Sequence, residues 1–330
     1  MRRIALPITA FCFLGACYTP KDPLSQPWQI DRTRILGVIS DVLDEDGAST
    51  GQAEASPGDT VRLSSLAVHP EKDLSVLWTG CVSEAADEFG CVVDMEAMEA
   101  LFSEDVESMT PEELAAWTAA LEAQGFLGVE PYLPPQIHVP EDLLADLSPE
   151  KQLEGTSYLL SLVASPDAAG MLEEGAGDLD ESDLAESDTE IATKQVVVSQ
   201  GVEGQPWTPN HNPRILYLLI NGEQHDSGAI REVTPGEELT LEPVLTTDSV
   251  EEYIFVNRDG EAEERLEDPW FSFFTTDGLF DIPYSLHAFP ETAFHVPDEP
   301  QEETIRLWVV VRDRRGGMHW QEQVLQLKSQ

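Results

Sequence analysis

Arg34-Ile35-Leu36-Gly37-Val38-Ile39 returns as Arg214-Ile215-Leu216-Tyr217-Leu218-Leu219, and Pro57-Gly58-Asp59-Thr60-Val61-Arg62-Leu63 returns as Pro235-Gly236-Glu237-Glu238-Leu239-Thr240-Leu241. The offsets, 180 and 178 positions, are close enough that the intervening loops must be nearly equal in length. In each copy a Pro-Gly turn feeds a strand with alternate apolar positions, Val61 and Leu63 or Leu239 and Leu241. An aromatic strand follows, Val76-Leu77-Trp78 in the first copy and Trp270-Phe271-Ser272-Phe273-Phe274 in the second. Late in each copy comes another strand, Tyr158 to Val163 and Ile305 to Val311. The second copy then turns through Asp313-Arg314-Arg315-Gly316-Gly317 into an alternating final strand, His319 to Leu327. Four elements recurring in one order indicate a duplicated antiparallel β domain.

An aromatic residue in the third strand, facing the core between two sheets, is how immunoglobulin-like sandwiches fill their centres. The fold expected is therefore mainly β: two tandem immunoglobulin-like β-sandwiches, the first with a helical insertion. The stretch Val311-x-Asp313-x-x-Gly316-Gly317 before a last strand is similar to the closing hairpin of the cadherin-like and PKD-like branches of that fold.

The insertion, about 94–150, separates the third and late strands of the first copy. Thr110-Pro111-Glu112-Glu113 is a capping box with proline at the first helical position, and Leu114, Trp117 and Leu121 follow at helical spacing up to Gly125. Shorter helices are expected at Asp94–Phe102 and Pro140–Leu147. Trp117 reads either as packing against the sandwich or as an anchor for a partner. A second elaboration is an acidic loop, about 165–192; Asp167 to Glu190 holds ten Asp or Glu residues and no Lys or Arg. Gln195 to Ser199 is then the last strand of a first domain spanning 30–200. The proline- and glycine-bearing 201–212 is a linker, and 213–330 is the second domain, with the halves expected to separate on cleavage between them.

Ahead of the sandwiches, Met1-Arg2-Arg3 is a short basic start and Ile4 to Phe13 a mostly apolar run, too short to span a membrane but suited to a signal-peptide core. It ends in Leu14-Gly15-Ala16-Cys17, which resembles the lipobox of bacterial lipoproteins. That resemblance implies a signal peptide 1–16, cleavage before Cys17 and a diacylglycerol thioether on its sulfur. Residues 17–29, with Pro20, Pro23 and Pro27, read as an extended tether. Together the lipobox, tether and paired strand motifs resemble the large lipoproteins with immunoglobulin-like domains of myxobacteria and related lineages. The resemblance brings no catalytic residues with it.

Charge narrows the partners. The chain has 63 acidic and 18 basic residues, a net charge of -45, so nucleic acid and bare anionic headgroups would be repelled. After loss of residues 1–16 the count is 16 basic against 63 acidic, or -47. Cys81 and Cys91, in an exported chain, are expected to form a disulfide. Asp41, Asp44 and Asp46 before Gly47 are weak calcium candidates with incomplete spacing, and no other metal or cofactor is expected. Counted from Asp178, the acidic run places Asp183 and Thr189 where a calcium loop needs glycine and glutamate.

No serine elbow, zinc-protease helix, phosphate loop or dinucleotide fingerprint is present, and His287, His295 and His319 read as satisfied surface histidines rather than zinc ligands. The reading is a non-enzymatic, lipid-anchored protein of the cell envelope, on the outer membrane at its periplasmic or surface face. It would act structurally or by binding an envelope or extracellular protein. The competing classes are an envelope enzyme or sensor with its ligand in the loops at the sandwich ends, and a calcium-dependent adhesin.

Overall fold

The computed structural model describes residues 26–83, 86–87, 90–91, 109–166, 188–204, 207–256 and 262–328. The signal peptide, Cys17, the Asp94–Phe102 segment and most of the acidic loop lie outside these residues.

The first sandwich runs through β1 (Arg34–Leu43), β2 (Thr60–Val68), β3 (Ser75–Val82), β4 (Ala86–Asp87) and β5 (Gly90–Cys91). It continues with α1 (Pro111–Ala123), β6 (Phe126–Glu130), β7 (Gln136–His138), α2 (Pro149–Glu154), β8 (Thr156–Ser165) and β9 (Glu190–Val198). One sheet is ordered β1-β2-β7 and the facing one β6-β3-β8-β9. Trp78, fully buried on β3, lies between them with Val61, Leu63, Ile137, Leu160 and Val196.

The second sandwich opens with β10 (Ile215–Ile220), β11 (Glu223–His225), β12 (Ile230–Val233) and β13 (Glu238–Leu245). A hairpin, β14 (Glu252–Val256) with β15 (Ala262–Leu266), precedes β16 (Trp270–Thr275), β17 (Leu279–Phe280) and β18 (Tyr284–Leu286). The chain closes with β19 (Thr292–His295), β20 (Thr304–Arg312) and β21 (Met318–Leu327). Its sheets are β11-β10-β13-β19-β17 and β12-β21-β20-β16-β18, around Phe271, Phe273, Phe280 and Phe294.

The sequence recurrence is matched in the pairing. In the second sandwich β12 leaves the sheet of β10 and pairs parallel with β21, Val233 against Leu327. In the first, Ala55 crosses over in the same way and pairs parallel with Val198 of β9. Each crossover stands two residues before its Pro-Gly turn. A parallel contact between an early crossover and the last strand, in otherwise antiparallel sheets, is the wiring of an immunoglobulin-like sandwich, and here it occurs twice.

Four expectations are corrected. The tether ends before residue 29, because Thr275 donates its N–H to the Trp28 carbonyl at 3.0 Å and Ile30 donates to the Thr275 carbonyl at 2.8 Å, while Trp28 packs on the second core. Residues 140–147 are successive i→i+3 turns rather than a helix; they bring Leu144, fully buried, under the first sandwich. A helix forms just after, at α2, capped by the Ser148 side chain with Pro149 in its first turn. Residues 190–192 are strand, so β9 begins well inside the stretch read as acidic loop and pairs with β8 from Glu190 to Val198.

The largest correction concerns 201–212 and the independence of the halves. The outer face of the second sandwich carries Phe274, Trp308, Val310, Met318 and Trp320, and it is covered by Ile30, Leu36, Leu66 and Val68. This is a third hydrophobic core, shared between the sandwiches. Arg312 donates to the Leu36 carbonyl at 2.6 Å across the same junction. The described end of the linker is fastened on both sides: Asn210 accepts from Ala53 N–H through its carbonyl, and Asn212 spans from the Ser40 carbonyl to the Met318 N–H. Separating the halves would expose this core to water, so the two sandwiches pack as one body.

Candidate functional site

Three features of the fused body could carry function: the polar junction, the open grooves beside it, and one free edge of the second sandwich. The junction is built on the Asp313–Gly317 turn. Asp313 Oδ1 accepts from the backbone N–H groups of Arg315, Gly316 and Gly317 at 2.7, 3.0 and 2.9 Å, and Oδ2 accepts from the Asn210 side chain at 2.9 Å. The aspartate and glycines of that motif thus shape a turn and pin the linker. A Cβ on Gly317 would lie 2.0 Å from Asp313 Oδ2 and 2.8 Å from the His211 carbonyl, which is why glycine stands there.

Beside this turn Arg315 faces Glu267 at 3.1 Å, Glu251 at 3.4 Å and Glu54 at 3.5 Å. Three carboxylates around one guanidinium leave excess negative charge. Burial, with a push from Asp313, raises the Glu267 carboxyl to about 7, against the pull of the Glu251 N–H and Arg315. Burial likewise raises Asp313 and lowers Lys194, which donates to the Gly316 carbonyl, to about 8. His211 Nδ1 lies 2.7 Å from Glu251. These groups pair with one another, and the arrangement fastens the two domains.

An open hollow of about 400 Å³ beside the junction is lined by Thr50, His211, Arg214, Asp248 and Glu251 among others. A wider groove between the domains, about 890 Å³, is bordered by Asp31, Glu71, Asp277, Glu302 and Glu303 with Arg306 as its one cationic side chain. Such a groove disfavours anions.

The free edge is different in character. Ile282 to Pro290 is nine residues with no Asp, Glu, Lys or Arg in a chain with 63 acids. Within it Phe289 is 78% exposed and Tyr284 63%, with Ile282 and Leu286 also exposed, and Leu279 stands exposed just before. On β18 Tyr284 and Leu286 point outward while Ser285 is buried, as strand alternation requires. Their cross-strand partners are Ser272 and Trp270. The sequence reading assigned no element to 282–289; the signal available was the uncharged gap itself.

The residues singled out from sequence fall as follows. Cys81 and Cys91 form a disulfide, Cα to Cα 5.5 Å, tying β3 to β5. Replacing both by serine is expected to lower stability by about 2.5–3 kcal/mol, the loop-closure entropy of a short ring, and urea unfolding of the double variant would read it. A loss below about 1 kcal/mol would show the ring to be already ordered without the bond.

The weak calcium candidates Asp41, Asp44 and Asp46 are not brought together. Asp41 accepts from Ser49 and Gly51 and pairs with Arg62 at 2.8 Å, while Asp44 Oδ1 caps the N–H groups of Asp46 and Ala48. Among the described residues no group of three or more His, Cys, Asp and Glu is placed to hold a metal ion. Trp117 packs with Leu121, Phe126, Val129, Leu77 and Leu133. His319 is held near its core strand, its Nδ1 accepting from the Ile215 N–H, and burial lowers it to about 4. His295 pairs with Asp281 at 2.8 Å, and His287 is exposed.

No protein-family model and no curated protein matches the chain. Among solved structures, the chain is similar to the N-terminal Ig1-2 module of the Drosophila receptor protein tyrosine phosphatase DLAR, at 11% identity over 90% of this chain and 100% of that one, with a TM-score of 0.23. The two tandem V-type regions of VCBP3, a v-region-containing chitin binding protein, give 12% identity over 87% and 99%, TM-score 0.25. A nucleoside hydrolase-related hypothetical protein from Saccharophagus degradans, associated with carbohydrate metabolism, gives 10% identity over 47% of this chain and only 38% of that one, TM-score 0.26. Likenesses this loose carry no function across. The class rests on the pairing described above: a mainly β protein of two tandem immunoglobulin-like sandwiches.

Proposed function

We propose that the chain is a lipid-anchored protein of the bacterial cell envelope that works without catalysis, as a rigid structural or binding platform. The observation that carries this reading is the fusion of the two sandwiches through a shared core, directly behind Leu14-Gly15-Ala16-Cys17. A short tether ending in a fused body keeps its surfaces within about 30 Å of chain from whatever the N-terminus is attached to. The open grooves beside the junction offer surface for contact with an envelope or extracellular protein. Lipidation at Cys17 would place the protein on the outer membrane, at its periplasmic or surface face, since two or three acyl chains hold firmly without a spanning helix.

Cys17→Ser is the test. The variant should move from the membrane to the soluble fraction, or persist as an uncleaved precursor, and should lose labelling by a fatty-acid analogue. Labelling equal to that of the parent would remove Cys17 as the anchor.

A further inference from the structure

We infer that the uncharged edge Ile282–Phe289 is a membrane-contact surface that lies in the headgroup region of a zwitterionic bilayer when the chain is tethered through Cys17. The inference deepens the anchored-platform reading and rests on it.

Position comes first. Thr275 is held by Trp28 and Ile30 through its own N–H and carbonyl, and the neighbouring Thr276 N–H bonds Arg306 on β20. The N-terminal segment therefore lies on the side of β16 away from β20, the side that β18 occupies. Leu286 stands opposite Trp270, five residues along β16 from Thr275, or about 17 Å. Cys17 precedes Gln26 by nine residues, at most about 30 Å of extended chain. An acyl-bearing Cys17 thus keeps this edge within reach of the surface it is anchored to, at high effective concentration.

Chemistry comes second. Ile282, Tyr284, Leu286 and Phe289 are the aliphatic and aromatic side chains that settle at a membrane interface, and no carboxylate or ammonium stands between Asp281 and Glu291. The mature charge of 16 basic against 63 acidic residues would be repelled by anionic lipid, so the matching surface is zwitterionic. Strand addition by another protein fits less well. β18 has three residues, and the Leu286 carbonyl already accepts from the Phe289 N–H at 2.9 Å, leaving little open edge to extend. The edge also continues an established apolar surface: Trp270 and β16 belong to the sheet whose outer face the first sandwich covers, and β18 borders that covered face while its own Tyr284 and Leu286 stay exposed.

The test uses the chain from Cys17 to Gln330, in which Cys17 is the one thiol outside the disulfide. Coupled through Cys17 to maleimide lipid in phosphatidylcholine vesicles, the protein is compared with the uncoupled form by hydrogen exchange. Exchange across 279–291 should slow by about tenfold or more on coupling. The slowing should vanish in Tyr284→Asp/Phe289→Asp and persist in Ile230→Asp, an equally exposed site on β12 at the opposite edge of the same sheet. Equal exchange in coupled and uncoupled protein would overturn the contact, as would slowing that survives the double aspartate variant. Slowing in the uncoupled chain that grows with protein concentration would assign the edge to a second copy instead. Mass analysis of the native protein reads the anchor separately: an unacylated Cys17 would defeat the anchored reading whatever the coupled vesicles show.

Discussion

Trp308→Ala is expected to destabilise the whole chain by about 3–5 kcal/mol and to uncouple its two sandwiches. The ring is fully buried, although it projects from the outer face of β20 rather than into the second sandwich. Its neighbours Ile30, Leu36, Leu66 and Val68 come from the first half of the chain. Truncation removes the largest fully buried side chain of the shared core and leaves a cavity that neither sandwich can close without moving against the other. The indole N–H has no hydrogen-bond partner among the described residues, so Trp308→Phe should be much the milder change. Calorimetry should show one transition for the parent and two for the alanine variant. A single transition shifted by less than about 1 kcal/mol would mean that the junction contributes little and that the halves fold independently.

That coupling is where the sequence was hardest to read. Strand identity came easily, because Val61/Leu63 and Leu239/Leu241 alternate and Trp78 and Phe271 mark the third strands. The shared face did not, although its trace is present. Ile305 to Val311 is nearly continuous in apolar residues, and a strand buried on both faces reads that way, whereas one-sided burial gives alternation. Ile35-Leu36 is of the same kind, but which surface receives each residue is a tertiary fact that period alone does not carry. Ser148-Pro149 repeats the cap grammar of Thr110-Pro111, and it marks the real start of α2 better than Pro140 does. Linker composition misled for a physical reason: Pro209, Asn210 and Asn212 suit an exposed loop, yet the same lack of helix and strand preference leaves the two asparagines free to bond two domains at once. Among site residues, the cysteine pair was legible from its spacing and the expectation of export, whereas the uncharged edge requires knowing that β18 is a border strand.

The pH profile of stability should reveal two opposed groups at the same junction. Glu267 is raised from 4.5 to about 7, so between those values the folded chain holds a proton that the unfolded chain releases. Its contribution is complete below about pH 4.5 and is lost as pH rises through 7, up to about 3 kcal/mol in all. His319 is lowered from 6.5 to about 4 by burial and by Arg214, and as imidazolium it could not accept from Ile215. Its contribution is complete above about pH 6.5 and is lost as pH falls toward 4, by a similar amount. Between pH 4.5 and 6.5 the two slopes oppose each other, and these groups together leave the parent nearly flat. Glu267→Gln keeps an acceptor for the Glu251 N–H and removes one slope, so its stability should rise by about 3 kcal/mol from pH 4.5 to 6.5 relative to the parent. His319→Asn keeps an acceptor for Ile215 and removes the other, so its stability should fall by about as much from pH 4.5 to 7. Self-repulsion among the 63 acidic residues is common to all three proteins and cancels in the differences. Urea unfolding at half-unit steps from about pH 4 to 8 reads both, and variants that run parallel to the parent across that window would show that neither group titrates differently on folding.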